Sequence, residues 1–329
     1  MSRVVQFSKT GTADVLQIVD AAIPEPKDGE VRIRVKALGL NRAESMFRSG
    51  EYIEDPDLPA RLGYEAAGTV ESVGPNVTEF QVGDLVSVIP SFSMNQYAMY
   101  GELVLAPEYA VVKHPASLSF EEAASIWMMF VTAYDGLVVT AQIEPGDVVL
   151  IPAASSSVGL AAIQIANLIG AKPVALTRTA DKKDLLVKAG AWHVIATEEE
   201  DLVAQVNKIT DGQGANVVYD PVGGPTFTKL IAAAARGARI IVYGALSPDV
   251  TPLPMLEMID KNLTIRGAMI ANTSGDAKLR KAAIEFVTGG LKSGALKPVI
   301  DKRFSLDQII DAHKYLEGNQ QFGKIVVTV

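Results

Sequence analysis

The stretch VVLIPAASSSVGLAAIQIANLIGAKPVALTR, Val148 to Arg178, constrains this chain more than any other feature. Val148–Ile151 is a short apolar run, and Ala153–Ser157 is a loop of small residues. Apolar periodicity predicts a helix from Val158 to Ile169, and Val174–Thr177 reads as a second strand. Strand, small-residue turn, helix and parallel strand make the mononucleotide-binding half of a doubly wound fold. Such a unit seats a pyrophosphate at the helix N-terminus, where free N–H groups and the helix dipole attract the anion. The chain is therefore expected to bind a dinucleotide, with Ser155, Ser156, Ser157, Val158 and Gly159 around its phosphates.

The glycine fingerprint of such turns is degenerate here. Its three positions read Ala154, Ser156 and Gly159, so only the glycine that lets helix and strand pack closely is kept. The serines either give hydroxyl donors to phosphate or cap the helix, and a βαβ turn without ligand fits the same residues. The end of the second strand bears on which dinucleotide is bound. NAD-binding versions place Asp or Glu there for the ribose 2′-hydroxyl. This chain has Thr177-Arg178-Thr179, with Lys182 and Lys183 close behind. A carboxylate would repel a 2′-phosphate, whereas a guanidinium grips it through paired hydrogen bonds. The cofactor expected is NADPH, with Thr177, Arg178 and Lys182 among its contacts. The competing reading makes Arg178 a solvated charge and the lysines a helix's outer face.

At 329 residues the chain is more readily two domains than one, since single cores stop growing at about 250–300 residues. A formal charge of −8 argues against nucleic acid or an anionic membrane as main partner. Met1–Asp20 has no charged region followed by an apolar one, and no apolar run reads as long enough to cross a bilayer. Zero cysteines exclude disulfides and thiolate chemistry. The cytoplasm is the default location.

The pattern changes near residue 120. Before it, β-like runs (Arg3–Phe7, Val31–Ala37, Gly68–Val73, Leu85–Ile89, Tyr97–Leu105) alternate with turn residues. After it, strands (Val217–Tyr219, Arg239–Tyr243, Leu263–Ile265) alternate with helical stretches such as Pro225–Ala235, which predicts a parallel sheet covered on both faces. Near Pro298 the chain turns to strand, helix (Leu306–Glu317) and strand (Lys324–Val329). The expected domains are residues 1–120, completed by about 295–329, and residues 121–294. Loops at the carboxyl ends of parallel strands line the ligand crevice. That adds Val222 within Asp220–Gly223, then Gly244, Ala245 and Leu246, then Met269, Ile270 and Ala271.

Several ordered motifs carry a family resemblance. They are Asn41-x-x-Glu44 with Arg48-x-Gly50-x-Tyr52, GYEAAGTVESVG (Gly63–Gly74), Val82-Gly83-Asp84 and Thr132-Ala133-Tyr134. The SSSVG turn, VVYDPVGG (Val217–Gly224) and Phe322-Gly323-Lys324-Ile325-Val326 complete the set. In these the chain resembles the medium-chain dehydrogenase/reductases, and among them the zinc-free quinone oxidoreductase branch, over nearly its whole length. The resemblance implies an α/β fold: a GroES-like β-rich domain and a Rossmann-type doubly wound parallel sheet, with the active site in the cleft between them. Where zinc-dependent relatives carry Cys, His and Cys, this chain has Asn41, Tyr64 and Met128. Amide, phenol and thioether are poor Zn²⁺ ligands, and the three histidines (His114, His193, His313) fall in no ligand motif.

Without a metal to polarise a carbonyl, the easier chemistry is hydride delivery to an electron-poor acceptor, a quinone or an α,β-unsaturated carbonyl. The resemblance implies Asn41 and Thr132 beside the nicotinamide and Tyr52 near the acceptor. Tyr64 is a candidate oxygen-facing donor by its position, against the alternative of a packed aromatic. His193 stands where relatives cover the adenine, and Lys324 either reaches the cofactor or ends a strand. Glu44 is expected to hydrogen-bond backbone. Met255–Ile270 resembles the edge strand through which relatives pair, so a homodimer is expected. Two other functions stay open: an enoyl-thioester reductase, and a non-catalytic NADPH-binding sensor or structural protein.

Overall fold

Short apolar runs between turn residues become β1 (Ser2–Phe7), β2 (Gln17–Ala21), β3 (Glu30–Gly39), β4 (Ala60–Arg61), β5 (Glu65–Val73), β6 (Leu85–Val88), β7 (Leu103–Pro107) and β8 (Val111–Lys113). The alternating region supplies β9 (Val148–Ile151), β10 (Lys172–Thr177), β11 (His193–Ala196), β12 (Ala215–Asp220), β13 (Ala234–Val242) and β14 (Thr264–Gly267). The chain ends with β15 (Ile300–Ser305) and β16 (Lys324–Thr328). The computed structural model describes residues 1–329. It divides into Met1–Met128 with Pro298–Val329, and Met129–Lys297.

In the first unit β2-β1-β4 form a small sheet, and β15-β16-β3-β5-β6-β8, with β7 also on β3, form a larger one. Strand β3 runs through the middle and buries Val31, Ile33, Val35 and Ala37 on alternate positions, the period of a half-covered strand. The segment expected as one strand from Tyr97 becomes ladder only at Leu103. Before it, Met99 and Tyr100 give their N–H groups to the carbonyls of Gly63 and Leu62, which holds them beside that turn.

The second unit is a six-stranded sheet in the order β11-β10-β9-β12-β13-β14. Every pairing in it is parallel. The chain winds outward from β9 through β10 to β11, then returns to the other side at β12. All four residues of β9 are buried, as helices on both faces require. Leu150, Val174, Ile195, Val218, Phe227 and Ile240 share one core. The reversal of strand order leaves the carboxyl end of β9 open to a ligand.

Two expectations change. Met255–Ile270 is a helix (Met255–Lys261) followed by the four-residue β14, not one strand. Asn262, left-handed at φ 52°, ends the helix and turns the chain into the sheet. In addition, the helical stretch Phe120–Thr140 is long and apolar enough to cross a membrane by length and composition, although 78% of its apolar 18-residue window is buried within the protein.

Candidate functional site

The second unit has a tight turn of small residues after β9. The helix after β9 runs from Ser157 to Ile169, and Ser156 caps it by accepting the Gly159 N–H at 3.0 Å. Gly159 cannot carry a side chain, because a Cβ would stand 2.6 Å from the Ala154 carbonyl. The first helical turn thus lies directly against the loop, with Ser155, Ser157 and Val158 half-buried around it. Lys182 donates from Nζ to Ser155 Oγ at 3.2 Å, so a cation stands on this loop. Thr177 ends β10, and Arg178 beyond it is exposed. A pyrophosphate fits the arrangement: free N–H groups, small side chains and an ammonium converge where the helix dipole is positive.

The other strand ends follow the same edge of the sheet. Val222 and Gly223 donate their N–H groups to the buried Asp220 carboxylate at 2.8 and 3.0 Å, which folds the loop after β12. Burial pushes the Asp220 carboxyl up, and those two donors oppose the rise. Gly244, Ala245 and Leu246 follow β13, and the Leu246 N–H is tied to the Pro221 carbonyl. Met269 and Ile270 follow β14, with Met269 exposed. His193 opens β11 and is half-buried. Thr132 lies on the Trp127–Tyr134 helix, and its carbonyl accepts the Tyr219 hydroxyl at 2.9 Å.

In the first unit a buried polar cluster forms around Asn41, at the start of the Arg42–Ser49 helix. Glu44 is fully buried and accepts the Asn41 N–H at 2.6 Å and the Tyr64 N–H at 3.1 Å. This bears out its expected bond to backbone. Glu65 accepts from Asn41 Nδ2 at 3.1 Å and from the Met128 N–H at 2.8 Å. The three positions aligned with zinc ligands, Asn41, Tyr64 and Met128, are therefore brought together by two carboxylates. Burial drives the Glu44 carboxyl up to about 7, against the pull of Lys324 and its donors.

Lys324 does not point to solvent. It is 1% exposed, and its Nζ donates to Asn41 Oδ1 and to the Glu65 carboxylate. Of its two readings, a cofactor contact or a strand end, Lys324 stands at the end of a strand as the first residue of β16, and it forms a buried ion pair there. Gly39 makes room for it, since a Cβ there would meet the Ala124 carbonyl at 2.1 Å and Lys324 Cε at 2.8 Å. No group of three or more His, Cys, Asp or Glu side chains is placed to hold a metal ion. The Glu65 carboxylate instead carries the Lys324 ammonium.

Tyr64 is 7% exposed, and its hydroxyl lies 3.5 Å from that of Tyr52. Both phenols are raised, Tyr64 far above the ordinary value, first by burial. They stay protonated at neutral pH and serve as hydrogen-bond donors. Their rings belong to a row of aromatic contacts: Phe47–Tyr52 at 6.5 Å, Tyr52–Tyr64 at 6.5 Å, Tyr64–Phe92 at 6.0 Å and Phe92–Tyr97 at 5.8 Å, the first and last edge-on and the middle two tilted. Sequence reasoning found the two tyrosines but not the row, nor the Glu65–Lys324 pair.

Comparison with known proteins bears on both units. Residues 27–116 match the model of the alcohol dehydrogenase GroES-like domain, and residues 157–289 that of the zinc-binding dehydrogenases. Human quinone oxidoreductase is 30% identical over 329 residues, 99% of this chain and 98% of that protein. Escherichia coli quinone oxidoreductase, solved with NADPH, shares 31% identity at a TM-score of 0.91, over 99% of this chain and all of that one. A solved NAD-dependent alcohol dehydrogenase shares 34% identity at a TM-score of 0.90, over 99% of each chain.

Proposed function

The chain belongs to the medium-chain dehydrogenase/reductase superfamily, in its quinone oxidoreductase-like branch, and from that premise we propose that it reduces quinones or α,β-unsaturated carbonyls with NADPH and without zinc. It is an oxidoreductase that uses NADPH. Lys182 on the phosphate turn and the exposed Arg178 support NADPH over NADH, although one similar structure is NAD-dependent. The observation that carries the zinc-free reading is the Lys324 ammonium on Asn41 and Glu65. A divalent cation beside it would meet like charge and a donor set of amide, phenol and thioether.

When bound, NADPH supplies a hydride; the acceptor takes it with one proton. Ser155, Ser156, Ser157, Val158, Gly159, Thr177, Arg178 and Lys182 hold the phosphates and the 2′-phosphate. Val222, Gly244, Ala245, Leu246, Met269, Ile270 and His193 line the rest of the cofactor. Asn41 and Thr132 orient the nicotinamide end. Asn41 suits that task because Lys324, Glu44 and Glu65 fix its amide, and a side chain so held needs no reordering during reaction. Tyr64 and Tyr52 donate hydrogen bonds to the acceptor oxygen as charge builds there. Their raised phenols do not release the proton, which comes from water.

An apolar surface supports a homodimer. Val250, Leu256 and Ile259 are 89%, 84% and 71% exposed, in the segment that leads into β14, the edge strand of the six-stranded sheet.

Steady-state NADPH oxidation with a naphthoquinone, an alkyl enone, a crotonyl thioester and an aldehyde tests the reading. Turnover is expected with the first two. Turnover confined to the thioester makes the chain an enoyl-thioester reductase. Silence across the panel despite tight NADPH binding makes it a sensor. Extensive dialysis against a chelator is expected to leave activity intact, and metal-dependent loss would reject zinc independence.

A further inference from the structure

The first unit contains a cleft of about 610 Å³, lined by none of the residues assigned above to the hydride reaction. Its size lies within the range of small-molecule sites, roughly 300–1,000 Å³. Ile23, Pro24 and Leu105 supply apolar wall, and Arg61, Lys27 and Tyr97 bring polar groups to it. Arg61 is the unusual member. Its backbone is fixed in β4, paired with Gln6 of β1. Its guanidinium makes one long bond, from Nη2 to the Ala98 carbonyl at 3.4 Å, and its Nε is buried with no acceptor. No carboxylate of the protein pairs with it. The nearest candidate on the cleft, Glu30, is taken by the Tyr97 hydroxyl at 3.0 Å and the Lys27 N–H at 2.9 Å.

A guanidinium carries five donors and does not lose its proton, so a half-buried one without an anion is an unusual expense. Burial pulls the Arg61 guanidinium down from its ordinary value, with no opposing charge. Two cations against one occupied carboxylate leave a single positive charge on the cleft, which suits a monoanion better than a dianion. The apolar wall suits a hydrocarbon body.

We propose that this cleft binds a small organic monocarboxylate, its carboxylate on Arg61 and its apolar body against Ile23, Pro24 and Leu105. The ligand would lie on Tyr97, whose ring touches Phe92 and through it Tyr64. The proposal does not depend on the hydride acceptor.

Calorimetry on the full-length protein saturated with NADPH tests it, with octanoate, octanamide and inorganic phosphate as probes. Octanoate is expected to bind once per chain, and octanamide about tenfold or more weakly, because a charge-assisted contact is lost. Phosphate, which lacks an apolar body, is expected to give no heat. Arg61→Met is expected to weaken octanoate by about ten- to a hundredfold. Should that variant fold poorly, Ile23→Trp fills the cleft from its apolar side. It is expected to abolish octanoate binding while NADPH oxidation and Tm stay at the parent's values. The proposal fails if octanoate gives no heat at millimolar concentration, or if octanamide or phosphate matches it. It fails equally if both variants bind octanoate unchanged, or if octanoate competes with the quinone and so occupies the hydride site.

Discussion

Lys324 Nζ stands 2.5 Å from Asn41 Oδ1, although 283 residues separate the two in the chain. The contact ties β16, which enters the first unit from the far end of the sequence, to the residue proposed to orient the nicotinamide. Lys324→Met would leave Glu65, 1% exposed, as a buried charge without its cation. Removing one partner of such a pair costs about 3–5 kcal/mol, and replacing both is often near neutral. Urea unfolding is expected to show that loss for Lys324→Met and recovery of most of it in Lys324→Met/Glu65→Gln. Equal losses in the single and double variants would show that Lys324 acts through packing alone.

His313 gives the protein an acid-sensitive point. Arg48 Nη1 donates to its Nδ1 at 2.9 Å; arginine cannot accept, so the ring's proton sits on Nε2, buried and without a partner. Burial, helped by the Arg48 charge, lowers the imidazole from 6.5 to about 3. The unfolded chain therefore takes up a proton that the folded one refuses. The stabilisation is complete above pH 6.5 and declines as pH falls toward 3, by at most about 1.4 kcal/mol per unit. Glu44 acts in the opposite sense: its stabilisation is complete below pH 4.5 and lost as pH rises through about 7. Comparing His313→Gln with the parent cancels the Glu44 contribution. The stability difference between them is expected to shrink from pH 7 to pH 4, and a constant difference would contradict the assignment.

The proposed choice of NADPH over NADH rests on two cations, the exposed Arg178 and Lys182 on Ser155. Arg178→Ala is expected to weaken NADPH about ten- to a hundredfold, the value of a charge-assisted phosphate contact, with NADH nearly unaffected. Lys182→Ala is expected to weaken both, because Ser155 loses its ammonium neighbour near the pyrophosphate as well. Binding constants by fluorescence titration separate the two. An unchanged NADPH/NADH ratio in Arg178→Ala would remove that residue from the 2′-phosphate.

The readable parts of the fold were those written in local order. Val148–Ile151 forms the strand that its four consecutive apolar residues predict, and the small residues after it form the turn. Glu44 could be read because its bonds to Asn41 lie within one helical turn, whereas its bond to the Tyr64 N–H spans twenty residues and was not legible. What stayed hidden needed pairing at a distance. The spacing of Glu65 and Lys324 contains nothing to join them, and only the register of β16 on β3 and of β3 on β5 brings them together. The family resemblance implies an edge strand over Met255–Ile270, and only Thr264–Gly267 of it is strand, because Met255, Leu256 and Ile259 follow helical spacing up to the left-handed Asn262. Arg61 carries no signal in sequence at all, since a charged residue between Ala60 and Leu62 reads as surface.

The same misread segment supplies the dimer prediction. The β14 backbone has a partner only on its β13 side, which leaves a row of N–H and C=O groups open at the edge of a parallel sheet. On the helix that precedes it in the chain, Leu256 and Ile259 place apolar area in water, where a monomer gains nothing from it. A second copy related by a two-fold axis would cover both at once, since an isologous contact sets one edge against its twin. Leu256→Asp/Ile259→Asp is expected to convert a dimer to a monomer in sedimentation velocity. Its NADPH affinity should stay close to the parent's, because neither side chain belongs to the cofactor loops. A parent that sediments as a monomer at micromolar concentration would refute the pairing and leave the exposed helix unexplained.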